Sequence, residues 1–231
     1  MYLTRCEINP VARGARKLLG SPQAMHAAVL AGFHAGSGDV GRVLWRVDQD
    51  RKHTWLYLVS AAEPDLTHLI DQAGWPATQT WDTRDYGRTL ARLEAGQRWA
   101  FRLRANPTSN VRDGSGGRGK RVAHVTVAQQ MDWFVRRAPS FGIDVGKDEE
   151  PTVVLAGRGV DEFRRRSDSS ARGGASGRTP SWGQVTVAWA QFDGTLTVVD
   201  PDALRAVLTG GVGSAKAYGC GLLTLARSVT P

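Results

Sequence analysis

Two kinds of apolar spacing alternate along this chain, and their order restricts the fold more than any single motif. Residues 2–8 (Tyr2-Leu3-Thr4-Arg5-Cys6-Glu7-Ile8) alternate apolar or small with polar, the period of a half-buried strand, and Asn9-Pro10 stops it. Ser21-Pro22 then supplies a hydroxyl N-cap followed by proline at the first helical position, and Met25, Ala28, Val29 and Phe33 follow at helical spacing. Residues 41–48 and 54–60 read as two strands, joined as a hairpin by Gln49-Asp50-Arg51-Lys52. Pro64 opens a short helix over 65–73 that Gly74 closes. Strand, helix, strand, strand, helix lacks one strand of a ferredoxin-like unit.

The second half repeats the order. Residues 97–105 alternate strictly, with Trp99, Phe101 and Leu103 on one face and Arg98, Arg102 and Arg104 on the other; this strand either closes the first unit or opens a second. Residues 106–121 read as a basic, glycine-rich loop carrying Arg112, Arg118, Lys120 and Arg121 against Asp113. Thr126 begins a helix with Val127, Met131, Phe134 and Val135 at helical spacing. Strands are expected over 151–155, 184–192 and 195–199, with Asp193-Gly194 as a hairpin turn. Asp200-Pro201 starts a last helix that Gly210 ends, and 222–226 is a final strand. Residues 167–181, rich in Ser, Gly and Arg, read as a surface loop; the sharper reading is a basic finger that orders on RNA. The expectation is an α+β chain of two tandem ferredoxin-like (RRM-like) units, residues 1–93 and 94–231. The duplication rests on element order alone, because the halves share no sequence repeat.

Hydrophobic residues make up 41% of the 231, enough for a core and too many for a disordered chain. Thirty Lys and Arg against 22 Asp and Glu leave a formal charge of +8, which points to an anionic partner: nucleic acid, a phosphate-rich ligand or anionic lipid. No apolar run reaches the roughly 18 residues of a membrane span, and residues 1–7 carry charge where a signal peptide would be apolar. A cytoplasmic protein with no membrane partner is expected. Cys6 and Cys220 form no CxxC pair and are expected to be reduced core thiols. No cluster of Asp, Glu and His reads as a metal site, so no metal or cofactor is expected.

The most specific motif is Gly211-Val212-Gly213-Ser214-Ala215-Lys216-Ala217-Tyr218-Gly219-Cys220-Gly221, lying between a helix and a strand. Closely spaced glycines let backbone approach a ligand and turn N–H groups toward phosphate. The motif lacks the GK[ST] step of a Walker A loop, and no strand precedes it as in a Rossmann turn. Glycine content alone leaves a tight connection and a phosphate cradle equally open.

With its lysine and flanking apolar positions, this loop resembles the C-terminal glycine-rich loop of CRISPR-associated endoribonucleases that process repeat RNA. Met1-Tyr2-Leu3-Thr4, Ser21-Pro22-Gln23-Ala24-Met25-His26, Phe101-Arg102-Leu103-Arg104-Ala105-Asn106-Pro107 and Gly219-Cys220-Gly221-Leu222-Leu223 resemble, in order along the chain, the CasE type of the type I-E systems. The resemblance implies a tandem ferredoxin-like fold. It implies metal-independent cleavage of precursor CRISPR RNA at the base of the repeat hairpin, leaving a 2′,3′-cyclic phosphate and a 5′-hydroxyl. It further implies that the nuclease keeps its product and joins the type I-E interference complex.

His26 matches the family's catalytic histidine. Without the resemblance, a lone histidine on a helix flank reads as structural. Attack by a ribose 2′-OH needs a base, an acid for the leaving 5′-oxygen, and positive charge for the phosphorane. Lys216 is the first choice for that charge, with Lys17, Arg13 and Arg16 as second sources. Some relatives carry a tyrosine three residues before the histidine and an arginine just after it; Gln23 and Ala27 stand there in this chain. That departure keeps a second reading in view, a catalytically weak RNA-hairpin-binding subunit. His34 is a substitute or helper; His53 and His68 read as solvated, and His124 lies beside the basic loop. RNA contacts are expected from Lys17, Arg102, Arg104, from Arg158, Arg164, Arg165 and Arg166 flanking a hairpin at Gly157–Gly159, and from Gly211, Gly213, Gly219 and Gly221.

Overall fold

The computed structural model describes residues 1–34, 40–75, 81–111, 120–146, 152–167 and 181–227. The first sheet is organised on β1 (Tyr2–Glu7), which has a partner on each side. A crossover of two helices, α1 (Arg13–Leu19) and α2 (Pro22–Ala31), leads to the hairpin β2 (Leu44–Gln49) and β3 (Thr54–Ser60). Then α3 (Thr67–Ala73) returns to β4 (Trp81–Asp85). The order β2-β3-β1-β4, antiparallel throughout, is that of a ferredoxin-like unit.

After α4 (Gly87–Ala91), β5 (Arg98–Ala105) opens the second unit. A small hairpin follows, β6 (Thr108–Val111) with β7 (Lys120–Ala123). Next come α5 (Val127–Val135), a 3-10 turn at Ala138–Phe141, β8 (Ile143–Asp144), β9 (Val153–Ser167), β10 (Ser181–Val198), α6 (Pro201–Gly210), a 3-10 turn at Lys216–Tyr218, and β11 (Leu223–Arg227). The second sheet runs β11-β5-β10-β8, with β9 also paired to β10. The chain therefore has the α+β double ferredoxin-like fold.

Several sequence expectations need correction. Residues 97–105, left open by the sequence between closing the first unit and opening the second, open the second; the strand that closes the first is β4. Its sequence, WDTRD, carries charge at alternate positions and hides as a loop, but Trp81 and Thr83 pair with Cys6 and Thr4. Residues 13–17, which carry the basic Arg13, Arg16 and Lys17 and take no element from the sequence pattern, are helical, because Ala15 and Leu18 bury one face while Arg16 and Lys17 suit the negative C-terminal end. Asp193-Gly194 is not a turn: β10 runs straight through it, Asp193 faces Arg102 across the ladder, and Gly194 lies so close to the Thr152 carbonyl that no side chain fits. Nor is Gly157–Gly159 a turn. Both glycines lie within β9, and a Cβ at Gly159 would come within 2.7 Å of the Trp189 ring. Residues 106–121 contribute β6 and the start of β7; Arg112, Asp113 and Arg118, and most of 167–181, lie outside the described residues. On α5 the inward residues are Gln130, Trp133 and Phe134, whereas Val127 and Val135 face out.

One apolar core lies under the first sheet, around Cys6, Ile8, Met25, Leu56 and Leu69. The larger core joins Leu44, Val59, Tyr86 and Leu93 to Phe101, Phe134, Phe192 and Leu223, so both sheets contribute to it. At this junction stands Arg46 on β2, only 1% exposed. Its Nε and Nη2 donate to the two Asp48 carboxylate oxygens at 2.6 and 2.9 Å. Nη1 donates to the carbonyls of Arg102 and Leu222, both at 2.9 Å, and Nη2 also to the Thr224 hydroxyl at 2.8 Å. All five guanidinium N–H groups are used, which is what makes a charge tolerable at such depth. Arg102, in turn, pairs with Asp48 at 3.3 Å and with Asp193 at 2.6 Å. Replacing Arg46 with Met should cost about 3–5 kcal/mol, since the carbonyls and Asp48 stay buried without their donor. Urea unfolding measures it, and a loss below about 1 kcal/mol would show that the guanidinium is not what joins the sheets.

Candidate active site

Helix α2 begins where its sequence dictates. Ser21 Oγ accepts from the Ala24 N–H at 3.3 Å, and Pro22 occupies the first turn without wasting a donor. Met25 and Val29 point into the first core, which leaves His26 half-buried on the flank. Its Nδ1 is shielded from solvent and has no hydrogen-bond partner among the described residues. Burial lowers the His26 pKa below its ordinary 6.5, favouring the neutral ring that can accept a proton.

α2 packs against β9 and against the 3-10 turn Lys216–Tyr218 in the glycine-rich loop. That loop is held by Val212 N–H donating to the Gly221 carbonyl at 2.8 Å and Gly221 N–H to the Arg104 carbonyl at 2.7 Å. Gly211 and Gly219 have φ of 73° and 76°, in the left-handed region. A Cβ at Gly211 would sit 2.6 Å from Leu44, and one at Gly219 would sit 2.8 Å from the Trp45 ring. Glycine is therefore required for the loop to press onto β2 of the first unit. Gly213 and Gly221 also have positive φ, as does Ala215 at 59°. Lys216 Nζ donates to the Gly210 carbonyl at 2.5 Å. Partial burial, and secondarily Arg42, lower its pKa, so its ammonium is less hydrated than an ordinary surface lysine. The geometry thus brings two sequence candidates from opposite ends of the chain, His26 and Lys216, onto elements in direct contact.

The remaining candidates are spread more widely. Lys17 is exposed on α1. Arg102 and Arg104 are engaged by carboxylates: Arg102, still partly exposed, with Asp193 and Asp48, Arg104 with Asp161 at 2.7 Å and stacked 4.0 Å from the Trp189 ring. Arg158 and Arg164 are exposed on β9, and Arg158 Nη1 also donates to the Val125 carbonyl at 3.3 Å. Arg165 and Arg166 lie on β9 opposite Gly183 and Trp182. Of the other histidines, His53 is not merely solvated but bonds Glu7 at 2.7 Å and stacks on Trp55. His68 bonds the Ala28 carbonyl at 2.8 Å, tying α3 to α2, and His34 faces Asp65 at 3.9 Å. Cys6 and Cys220 are free and buried, their thiols pushed up to about 12.

A cleft of about 510 Å³ runs between the α1–α2 junction and β9–β10, lined in part by Met25, Trp45, Arg104, Asp161 and Tyr218. Sequence reading missed Trp45 and Tyr218 here, because both read as ordinary apolar positions of a strand and a loop. Among the described residues no group of three or more His, Cys, Asp or Glu is placed to hold a metal ion, and no helix is long and apolar enough to cross a membrane.

The family described as "CRISPR associated protein" matches residues 1–227. The CRISPR-associated endoribonuclease Cse3 of Thermus thermophilus is 32% identical over 233 residues, covering 98% of this chain and 100% of that protein. The chain belongs to the Cse3/CasE family. The Cascade subunit CasE of Escherichia coli is 30% identical over 141 residues, 58% of this chain and 60% of that protein. Among solved structures, Thermus thermophilus Cse3 bound to an RNA representing a pre-cleavage complex superposes with a TM-score of 0.72 at 29% identity, covering 98% of both chains.

In this Cse3/CasE chain the lowered His26 pKa has a consequence for stability. Between the lowered folded value and 6.5, the unfolded chain binds more protons than the folded one. The contribution of neutral His26 is therefore complete above 6.5 and is lost as pH falls through that window. Urea midpoints taken from about pH 7 to about pH 5 should fall less steeply for His26→Gln than for wild type, and equal slopes would refute the burial argument.

Proposed function

We propose that this chain is a metal-independent endoribonuclease that cleaves precursor CRISPR RNA at the base of the repeat hairpin. The reaction is attack of a ribose 2′-OH on the adjacent phosphate, giving a 2′,3′-cyclic phosphate and a 5′-hydroxyl. The observation that carries this reading is the half-buried His26, its Nδ1 unpartnered, on a helix packed against the turn that bears Lys216. Support comes from the relatives: one is named an endoribonuclease and was solved with a pre-cleavage RNA, another is named a Cascade subunit. By the same reasoning this protein keeps the mature CRISPR RNA and joins a type I-E interference complex in the cytoplasm.

His26 serves the proton transfers, for which a neutral imidazole near physiological pH is suited. Lys216 meets the charge that develops on the phosphorane, and partial burial strengthens a cation aimed there. Lys17 on the neighbouring α1 is a second source of charge. Arg158 and Arg164 on the exposed face of β9 bind stem phosphates. Arg102, matched to Asp48 of the first unit and Asp193 of the second, helps hold the units together, and Arg104, matched to Asp161, ties β5 to β9; both serve RNA binding only through that support. The second reading, a weakly catalytic hairpin-binding subunit, is favoured by Gln23 and Ala27, neither of which transfers protons or carries charge.

His26→Ala should lower single-turnover cleavage of a repeat hairpin by at least about 10²-fold. Hairpin affinity should stay within about fivefold, since one neutral side chain adds little to phosphate-dominated binding. Wild-type cleavage by that variant would remove His26 from the chemistry. Cleavage should persist in EDTA and stop when the 2′-OH at the cut is replaced by hydrogen; a strict Mg²⁺ requirement would mean another mechanism. Binding without cleavage by the wild-type protein would favour the second reading. Lys216→Ala should slow the single-turnover rate at saturating enzyme by about 10²–10³-fold, and an unchanged rate would make the loop a connection only.

A further inference from the structure

A second polar pocket, of about 220 Å³, opens at the other end of the glycine-rich loop. Thr108, Ser109 and Asn110 of β6 form one wall, Arg121 of β7 another, and Trp133 and Arg137 on and just after α5 a third; Gly213 and Ser214 close it. Among the described residues no acidic side chain lines it, so the charge they bring comes from the two arginines. Arg137 is held in place by stacking 4.7 Å from the Trp133 ring, with Nη1 donating to the Trp133 carbonyl at 3.3 Å. Among the described residues neither Arg121 nor Arg137 makes an ion pair, unlike the neighbouring Arg136, which is matched to Asp132.

Three further features point to an anion. The Ser214 hydroxyl is shielded from solvent and has no partner among the described residues, which is costly unless a ligand completes it. Gly213 and Ala215, at φ of 67° and 59°, flank Ser214 in the alternating conformation that turns successive N–H groups to one side. Among the described residues no hydrogen bond uses the N–H groups of Gly213, Ser214 or Ala215. Guanidinium forks, a hydroxyl and backbone N–H groups are the donor set of a phosphate.

We propose that Arg121, Arg137, Ser214 and the backbone at Gly213–Ala215 form a phosphate-binding site separate from His26. Lys216 lies two residues beyond Ser214, within about 7 Å along the chain. One strand of RNA crossing the loop would therefore meet the reacting centre and then this pocket. The RNA source of the phosphate rests on the endoribonuclease reading; the phosphate chemistry does not.

The test uses the full chain and a repeat hairpin with 2′-deoxyribose at the cut. Affinity is measured across a salt series for wild type and for Arg121→Gln/Arg137→Gln, with thermal unfolding as the check on folding. The double variant should bind at least about tenfold more weakly, and the slope of log affinity against log salt should fall by about 0.7–0.9, one phosphate's worth. Single methylphosphonate linkages scanned along the RNA should include one that weakens wild type and has no further effect on the double variant. In a second arm, inorganic phosphate is titrated against thermal stability without RNA. Stabilisation of wild type but not of the double variant, with the RNA arm unchanged, would keep the phosphate site and overturn its RNA occupant. No difference between the proteins in either arm would overturn the site. If wild type binds no hairpin, the endoribonuclease reading fails and the phosphate arm decides the site by itself.

Discussion

Arg46 carries a full charge where almost no water reaches, and the arrangement of the two units follows from how that charge is satisfied. Its fork takes Asp48 from its own strand, the Arg102 carbonyl from β5, the Thr224 hydroxyl from β11 and the carbonyl of Leu222 just before β11. Coulomb attraction to Asp48 alone would not repay the desolvation. The three donations across the junction complete the account, and they exist only if β2 lies against β5 and β11 in one register. Arg102 extends the network to Asp193, so two arginines and two aspartates alternate across the seam.

The glycine-rich loop exploits the same seam. It leaves α6, presses Gly211 and Gly219 against Leu44 and Trp45 on either side of the β2 backbone, and hands Lys216 to the helix that bears His26. The residues beside Arg46 on β2 are thus the surface on which the loop bearing Lys216 is seated. A shift of the units relative to each other would separate the histidine of one from the lysine of the other. Docking and chemistry are in this sense one structural problem.

Much of this architecture was legible in the chain. The Ser21-Pro22 cap, the β2–β3 hairpin, the helix start at Thr126 and the Asp200-Pro201 start rest on local rules and stand where those rules put them. The errors have a common cause. Asp-Gly and closely spaced glycines usually mark turns, yet Gly194 and Gly159 are small because a carbonyl and an indole from other strands need the room. β4 carries charged residues at alternate positions and earns its place only through β1. His26, Lys216 and the loop glycines were picked out by motif and resemblance, and the fold places their elements in contact. The engagement of Arg102 and Arg104 was invisible, because a row of arginines on a strand reads as a solvated face until the carboxylates opposite are known.

By itself the sequence determined the α+β class, the net positive charge and the family to which the chain belongs, since all of these are properties of neighbours along the chain. Only the tertiary structure decided that Arg46 is a buried junction, that two arginines of β5 are matched to carboxylates, and that the helix of His26 packs against the turn of Lys216. Each of those depends on groups far apart in sequence, 178 residues apart for Arg46 and Thr224. Burial, which sets the energy of a charge and the pKa of a histidine, is a property of the assembled fold.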